Sequence, residues 1–302
     1  MQPLWKLAPL CLLLLLPGCS LKRVAVNKIG NTLASGGSTF EQEDDPELVA
    51  QALPFGLKLM ESLLAESPRH RGLLLALAND FAAYAYAFVD QQADEAAAED
   101  LDRSRALRER ARHLYLRARA YGIRGLETRY PGFGDSLDRD PAAALARIRK
   151  ADVPLLYWTA AAQGLAISDS KDNPEMIAQL PLVDAMIRRV LELDPEWGQG
   201  AVPEFLINIE ASRVGAKPEE KQRRMREYFD SALALSGGKH ASLFVSYAEN
   251  ASIPAQNRAE FQAMLDRALR VDAGVPENRL VNLIAQRRAR WLLGRIDDLF
   301  LE

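Results

Sequence analysis

The stretch LLAESPRHRGLLLALAND, Leu63 to Asp80, holds a helix end, a turn built on Ser67-Pro68 and the start of a new apolar helix. The same grammar returns three times. It is seen in VLELDPEWGQGAVPEFLIN from Val190, ALALSGGKHASLFVSYAEN from Ala232 and ALRVDAGVPENRLVNLIAQ from Ala268. In each, Ser or Asp with Pro, Gly or Ala breaks one amphipathic helix and opens the next. Aligning Ser67, Asp194, Ser236 and Asp272 gives offsets of 127, 42 and 36 residues. The last two lie near the period of about 34 residues of a tetratricopeptide repeat, whose helix pairs stack because none buries its apolar face alone. The first offset leaves room for degenerate repeats in between. Almost nothing alternates with the period of a strand, so the expected fold is all-α, a tetratricopeptide-like solenoid of stacked helical hairpins over residues 38–302.

Upstream of the first hairpin, EDDPELV predicts a helix start, with Asp44 or Asp45 as cap, Pro46 in the first turn and Glu47 at the positive helix end. Two apolar rows follow at helical spacing. One is Leu48, Ala52, Phe55, Leu59 and Leu63, the other Val49, Leu53, Leu57, Met60 and Leu64, which predicts burial on two sides. Pro54 inside that helix removes one backbone donor and predicts a kink. The run from Gly72 to Val89 is apolar enough to suggest a membrane span, but Asn79 and Asp80 stand at its middle. A central aspartate costs roughly 2.5–3.5 kcal/mol on insertion scales, so a buried helix is expected.

The extreme N-terminus assigns a compartment. One lysine, an apolar run from Leu7 to Leu16 and Pro17-Gly18-Cys19 have the form of a secretory signal ending in a lipobox. Residues 1–18 are expected to be cleaved and Cys19 lipidated, with residues 19–37, which end in ASGGS, as a short polar tether. Removal of Cys11 with the signal leaves Cys19 alone, so it serves as an anchor rather than as a disulfide, zinc ligand or nucleophile. The expected protein faces the periplasm, held to the membrane by lipid only, with the outer membrane favoured because Ser20 rather than aspartate follows. The charge balance, 38 basic against 41 acidic side chains, argues against a nucleic-acid partner.

Candidate site residues are few. Phe81, Tyr84 and Phe88 share a helix face, with Tyr86 offset and alanines between them; Tyr157 and Trp158 form a second aromatic pair. These could wall an apolar ligand cleft, or pack as ordinary core between repeats. In RARHLYLRARAYGIRGLE, Arg110, Leu114, Arg117 and Tyr121 share one face, and Arg108, Arg112, Tyr115 and Arg119 another. A cleft-facing arginine such as Arg119 could hold a carboxylate; alternatively the arginines pair with the acidic stretch Asp90 to Asp102 across neighbouring helices. Asn79 is a candidate cleft residue or part of a buried polar network with Asp80. His70, His113 and His240 have no metal-ligand spacing, and no HExxH, Walker or GxSxG motif occurs. No catalytic residue, metal or cofactor is expected.

The blocks NTLASGGSTFEQEDDPELVAQALPFGLKLMESLLAESPRHRGLLLALANDFAAYAYAFV, RARHLYLRARAYGIRGLE, LLYWTAAAQGLAIS and RALRVDAGVPENRLVNLIAQRRARWLLGRIDDLF resemble the TatT family. These are tetratricopeptide-repeat lipoproteins associated with tripartite ATP-independent periplasmic (TRAP) transporters. The likeness runs from about Asn31 to Phe300. It implies a periplasm-facing accessory protein that partners a TRAP solute-binding protein and helps pass a small organic, even hydrophobic, ligand. It also implies a homo-oligomer, a trimer by the family's architecture, with a pore or cleft through each protomer. Val202 and Pro203 stand where the family often has a histidine after a GQGA-like turn, so no ligand role is carried to that position. A general envelope scaffold for protein assembly is the alternative. An apolar channel lined by Tyr84, Phe88 and Trp158 would favour transport, and a solid core with a polar concave face would favour the scaffold.

Overall fold

The computed structural model describes residues 19–35, 37–170, 172–213 and 215–300. The expected signal peptide, residues 1–18, lies outside them. Among the described residues the chain is helical throughout, without strands. The elements are α1 (Cys19–Ser35), α2 (Gly37–Glu41), α3 (Pro46–Glu66) and α4 (Arg71–Tyr84), which continues through a π-helical stretch (Ala85–Asp90) into α5 (Gln91–Ala96). Next come the long α6 (Leu101–Glu127), the short α7 (Phe133–Arg139) and α8 (Pro141–Ala146), α9 (Val153–Ser168), α10 (Pro174–Ile177) and α11 (Leu180–Leu193). The C-terminal part holds α12 (Ala201–Ala211), α13 (Pro218–Ser236), α14 (Ala241–Tyr247) with a second π-helical stretch (Ala248–Ser252), α15 (Arg258–Arg270), α16 (Arg279–Leu293) and α17 (Ile296–Leu299).

Local chemistry sets these boundaries. Asp45 caps α3: its Oδ1 accepts from the amides of Glu47 at 3.0 Å and Leu48 at 3.1 Å, with Pro46 in the first turn. His70 caps α4 by accepting the Leu73 amide on Nδ1 at 3.1 Å. Ser67 and Asp194 close their helices, Ser236 ends α13 before the left-handed Gly237, and Asp272 follows α15. The four aligned turns therefore fall between four helix pairs.

Three apolar cores follow one another along the chain. The first is built on α3 and α4, the second on α9, α11 and α12, and the third on α13 to α16. On α4, Leu73, Leu74, Leu77 and Phe81 are fully or nearly fully buried, each worth about 1.5–3 kcal/mol against exposure. Helices α3 and α4–α5 are both long and apolar enough to cross a membrane; the Gly72 to Val89 run is the core helix that Asp80 implied. Helices α6 and α9 approach closely because Gly122 and Gly125 face Thr159 and Leu155, where a Cβ would lie 2.1 and 2.5 Å from their side chains.

The solenoid closes on itself. Leu280 and Ile284 of α16 belong to the first core, not only to the last. Arg279 donates to the Gln42 carbonyl at 3.0 Å, and Arg287 pairs with Glu47 at 2.7 Å and Glu95 at 3.4 Å. The last long helix thus packs against the first hairpin, and the chain forms a ring rather than an open superhelix.

One expectation is corrected. Only the Val49, Leu53, Leu57, Met60, Leu64 row of α3 is buried; Leu48, Phe55 and Leu59 are 52%, 75% and 38% exposed. Periodicity shows that a face is apolar, not what covers it. Residues 19–35, within the expected short polar tether, are helical as α1, which packs on α4 through the buried Val26 and Gly30. Gly30 lets the chains meet, since a Cβ there would lie 3.1 Å from the His70 ring and the Leu73 side chain. Nε2 of His70 adds a contact of 3.3 Å to the Asn27 carbonyl. Pro54 stands inside α3, which runs through it as one helix of 21 residues.

Candidate functional site

The centre of the ring is a cavity of about 880 Å³, within the usual size of small-molecule sites. Both π-helical stretches face it: the first contributes Tyr86 and Asp90, the second Glu249 and Asn250. A π-turn adds a residue to the helical turn and rotates the following side chains, and such turns recur at functional sites. Here the added residue lets α4 and α5 serve two surfaces at once. Phe88 and Val89 stay in the core, while Tyr86, Asp90 and Asp94 line the cavity. Tyr86 is 43% exposed, on the cavity side.

Six acids and four arginines line the cavity. Arg108 of α6 pairs with Asp94 and lies 3.5 Å from Asp90 and 3.7 Å from Asp169. Arg288 of α16 reaches Asp94 at 2.6 Å and Glu249 at 2.5 Å, and stacks on Trp291 at 4.4 Å. Tyr115 donates its hydroxyl to Asp90 at 3.3 Å. Each guanidinium thus serves more than one carboxylate, and the network remains under-satisfied. Arg288 Nη1 is buried without an acceptor, and Asp90 Oδ1 and Asp169 Oδ2 are buried with no donor but a proton shared between the two carboxyls. A native structure leaves few such groups, and a ligand is one of the things that completes them.

The electrostatics follow from burial. Burial, then the neighbouring Asp90 charge, pushes Asp169 up to about 8. Burial and Asp94 raise Asp90 as well, so the pair holds a proton near neutral pH. Burial also raises Glu249. Burial disfavours the charge on Arg288, but Glu249 and Asp94 outweigh it and hold that guanidinium above its ordinary value. Asn208 and Asn250 extend the polar wall through a 2.8 Å hydrogen bond. Such a cavity can take a charged or strongly polar solute by exchanging internal ion pairs for ligand contacts.

The aromatic candidates lie elsewhere. Phe81 stacks on Tyr121 with centroids 5.8 Å apart, and Tyr84 meets Phe88 at 5.8 Å, all within the first core or against it. Tyr157 packs on Trp158, Trp197 and Phe205 at 5.3, 4.2 and 6.2 Å. Trp158 joins the first two cores. None of Phe81, Tyr84, Phe88, Tyr157 or Trp158 lines the central cavity or the smaller one described below. Aromatics beside alanines pack helices together here, and the central cavity is lined by charged and polar groups. Asn79 is half-buried on α4, outside both cavities. Beside it, burial and then Glu41 raise Asp80 to about 7. Arg119 lines the smaller cavity. Cys19 begins α1, and its chemistry is untouched by this geometry.

Sequence reasoning foresaw the pairing of Arg108 with the acidic stretch but missed Tyr86, Glu249 and Arg288. The arginine-rich RRAR segment before Trp291, Arg287 to Arg290, was the available signal for the last. It also missed the anchor at Asp152, which is fully buried and accepts from Tyr130 at 2.6 Å, from Arg129 at 2.7 Å and from Arg71. Among the described residues no group of three or more His, Cys, Asp or Glu is placed to hold a metal ion.

Fold and cavity together define an all-α repeat protein, closed into a ring around a solute-sized polar chamber. The profile of the TAtT family, the TRAP transporter T-component, matches residues 42–300, and the chain belongs to that family. An uncharacterized protein of Treponema pallidum (strain Nichols) is 34% identical over 316 aligned residues, spanning 96% of this chain and 95% of its own length. The chain is accordingly an accessory component of a TRAP transport system, associated with the periplasm of a bacterial envelope and with other TRAP components.

Proposed function

We propose that this chain is a lipid-anchored, non-enzymatic helper that binds the periplasmic solute-binding protein of its TRAP system and gives that protein's small organic ligand a sheltered station in the central cavity. The observation that carries this reading is the under-satisfied charged chamber enclosed by a ring of helices, in a chain of the T-component family. The polar lining favours a charged or polar solute over the hydrophobic one that the resemblance allowed. Lipidation at Cys19, after removal of residues 1–18, would place the anchor at the start of α1. Because α1 is docked on α4, the body would sit close to the membrane, the outer one by the Ser20 rule. The homo-oligomer, a trimer in this reading, would use the exposed Leu48, Phe55 and Leu59 stripe of α3.

The second reading, an envelope scaffold for protein assembly, draws support from one feature: the concave surface is polar rather than apolar. Uptake separates the two. Deleting the chain from its native cell should lower uptake of the cognate TRAP solute at least severalfold, with recovery on complementation. Unchanged uptake together with an envelope-assembly defect would support the scaffold instead.

A further inference from the structure

Arg119 stands apart from the other arginines of α6 named above. Arg108 pairs with Asp94, Arg117 with Glu61, and Arg112 lies 3.9 Å from Glu109. Arg110 and Arg124 lie over the rings of Tyr84 and Tyr121 at 6.0 and 5.3 Å. Arg119 has no such partner among the described residues, and its Nε is buried without a hydrogen-bond acceptor. It is half-buried. Burial lowers its pKa, opposed only by the more distant charge of Asp138, an exposed residue. A buried guanidinium N–H without an acceptor is costly, and a planar carboxylate is the group its fork matches best.

The space in front of it is a second cavity of about 740 Å³, walled by α6, the α7–α8 junction, α9 and the α10–α11 turn. Most of that wall is apolar, with Leu116, Leu137, Met176 and Leu182 as its large side chains. The other polar groups are two amides and one acid: Gln163, almost fully buried, donates to Gln179 at 2.8 Å, and Asp138 is exposed, without an ion pair to Arg119. With Asp138 exposed, the buried, acceptor-free edge of Arg119 against a mostly apolar wall suits a ligand with one negative end and one greasy end.

We infer that this second cavity is a binding site for an amphipathic organic carboxylate, its carboxylate on the Arg119 guanidinium and its hydrocarbon part against Leu116, Met176 and Leu182. The site is separate from the central chamber and does not depend on the transport reading. Alkyl acids derived from lipids and free aryl acids share this chemistry, and the choice of probes distinguishes them.

Titration calorimetry of the full chain with hexanoate and phenylacetate, each beside its uncharged amide, tests the site. At least one acid should bind tenfold or more tightly than its amide. Preference for hexanoate points to a fatty-acid source, and preference for phenylacetate to an aryl solute. Arg119→Met should abolish the acid-over-amide preference, and Arg119→Lys should keep part of it. Met176→Glu gives Arg119 an internal carboxylate, and should block acid binding while circular dichroism remains native. No binding of either acid by the native chain at 10 mM, or unchanged acid preference in folded Arg119→Met or Met176→Glu, would overturn the inference.

Discussion

Arg288 donates to Asp94 across 2.6 Å, and this pair joins the last long helix to the first hairpin at the wall of the chamber. Glu249 shares the same guanidinium at 2.5 Å, so one side chain helps close the ring and offsets the charge of two partly buried acids.

Removing it leaves two carboxylates without their cation. Breaking a buried pair from one side typically costs about 3–5 kcal/mol. Arg288→Met should therefore lower the free energy of unfolding by that order in urea titrations, whereas Arg288→Lys should lose less. A change below about 1 kcal/mol would mean that the ring is held by its apolar contacts alone.

The α6–α9 crossing depends on absent side chains. A Cβ on Gly122 would fall 2.1 Å from Thr159 Oγ1 and 3.3 Å from the Thr159 Cα, so backbone as well as side chain must move. Overpacking of this kind typically costs about 1–3 kcal/mol. Gly122→Ala should be destabilised by that amount despite alanine's better helix propensity, and Gly56→Ala on α3, where nothing lies within 4 Å, should not be.

Asp80 gives stability a pH dependence of defined sign. Its folded value, about 7, lies above the ordinary 3.8, chiefly through burial. Between those values the folded chain binds more protons than the unfolded one, so this group's contribution falls as pH rises from 3.8 to about 7. Asp80→Asn should stabilise the protein by on the order of 2 kcal/mol at pH 8 and by little below pH 4. Thermal melts across pH 4–8 read this directly, and a parallel pH profile in wild type and variant would refute it.

The two phenylalanines of the first hairpin should behave oppositely. Phe81 is buried against Tyr121 and under Arg117, and its replacement by alanine should cost about 3–5 kcal/mol. Phe55 is 75% exposed, so Phe55→Asp should leave monomer stability nearly unchanged. If α3 mediates self-association, the same change should shift the sedimentation profile toward smaller species.

The hairpins were legible because their signals are local. The Asp45 cap, the Pro46 start and the turns at Ser67, Asp194, Ser236 and Asp272 all mark helix ends in the structure. The chamber was not legible, for two physical reasons. Ring closure brings Arg288 to Asp94, and no local spacing encodes a contact between chain ends. The π-turns at Ala85–Asp90 and Ala248–Ser252 break the 3.6-residue phase, so counting faces singled out Phe81, Tyr84 and Phe88 and set Tyr86 aside. Burial of α3 on both sides failed for a related reason, and the helix at residues 19–35 was hidden for a similar one. An apolar row does not reveal its cover, and a weakly amphipathic polar segment can still dock where a glycine such as Gly30 allows close approach.

The most direct test of the proposed role is to recover the tagged protein from mildly crosslinked native membranes and identify what comes with it by mass spectrometry. The expected result is a TRAP solute-binding protein as the dominant partner, reduced when Arg288 or Asp94 is replaced in a folded variant. Recovery of envelope assembly factors without any solute-binding protein would contradict it, and the scaffold reading would take its place.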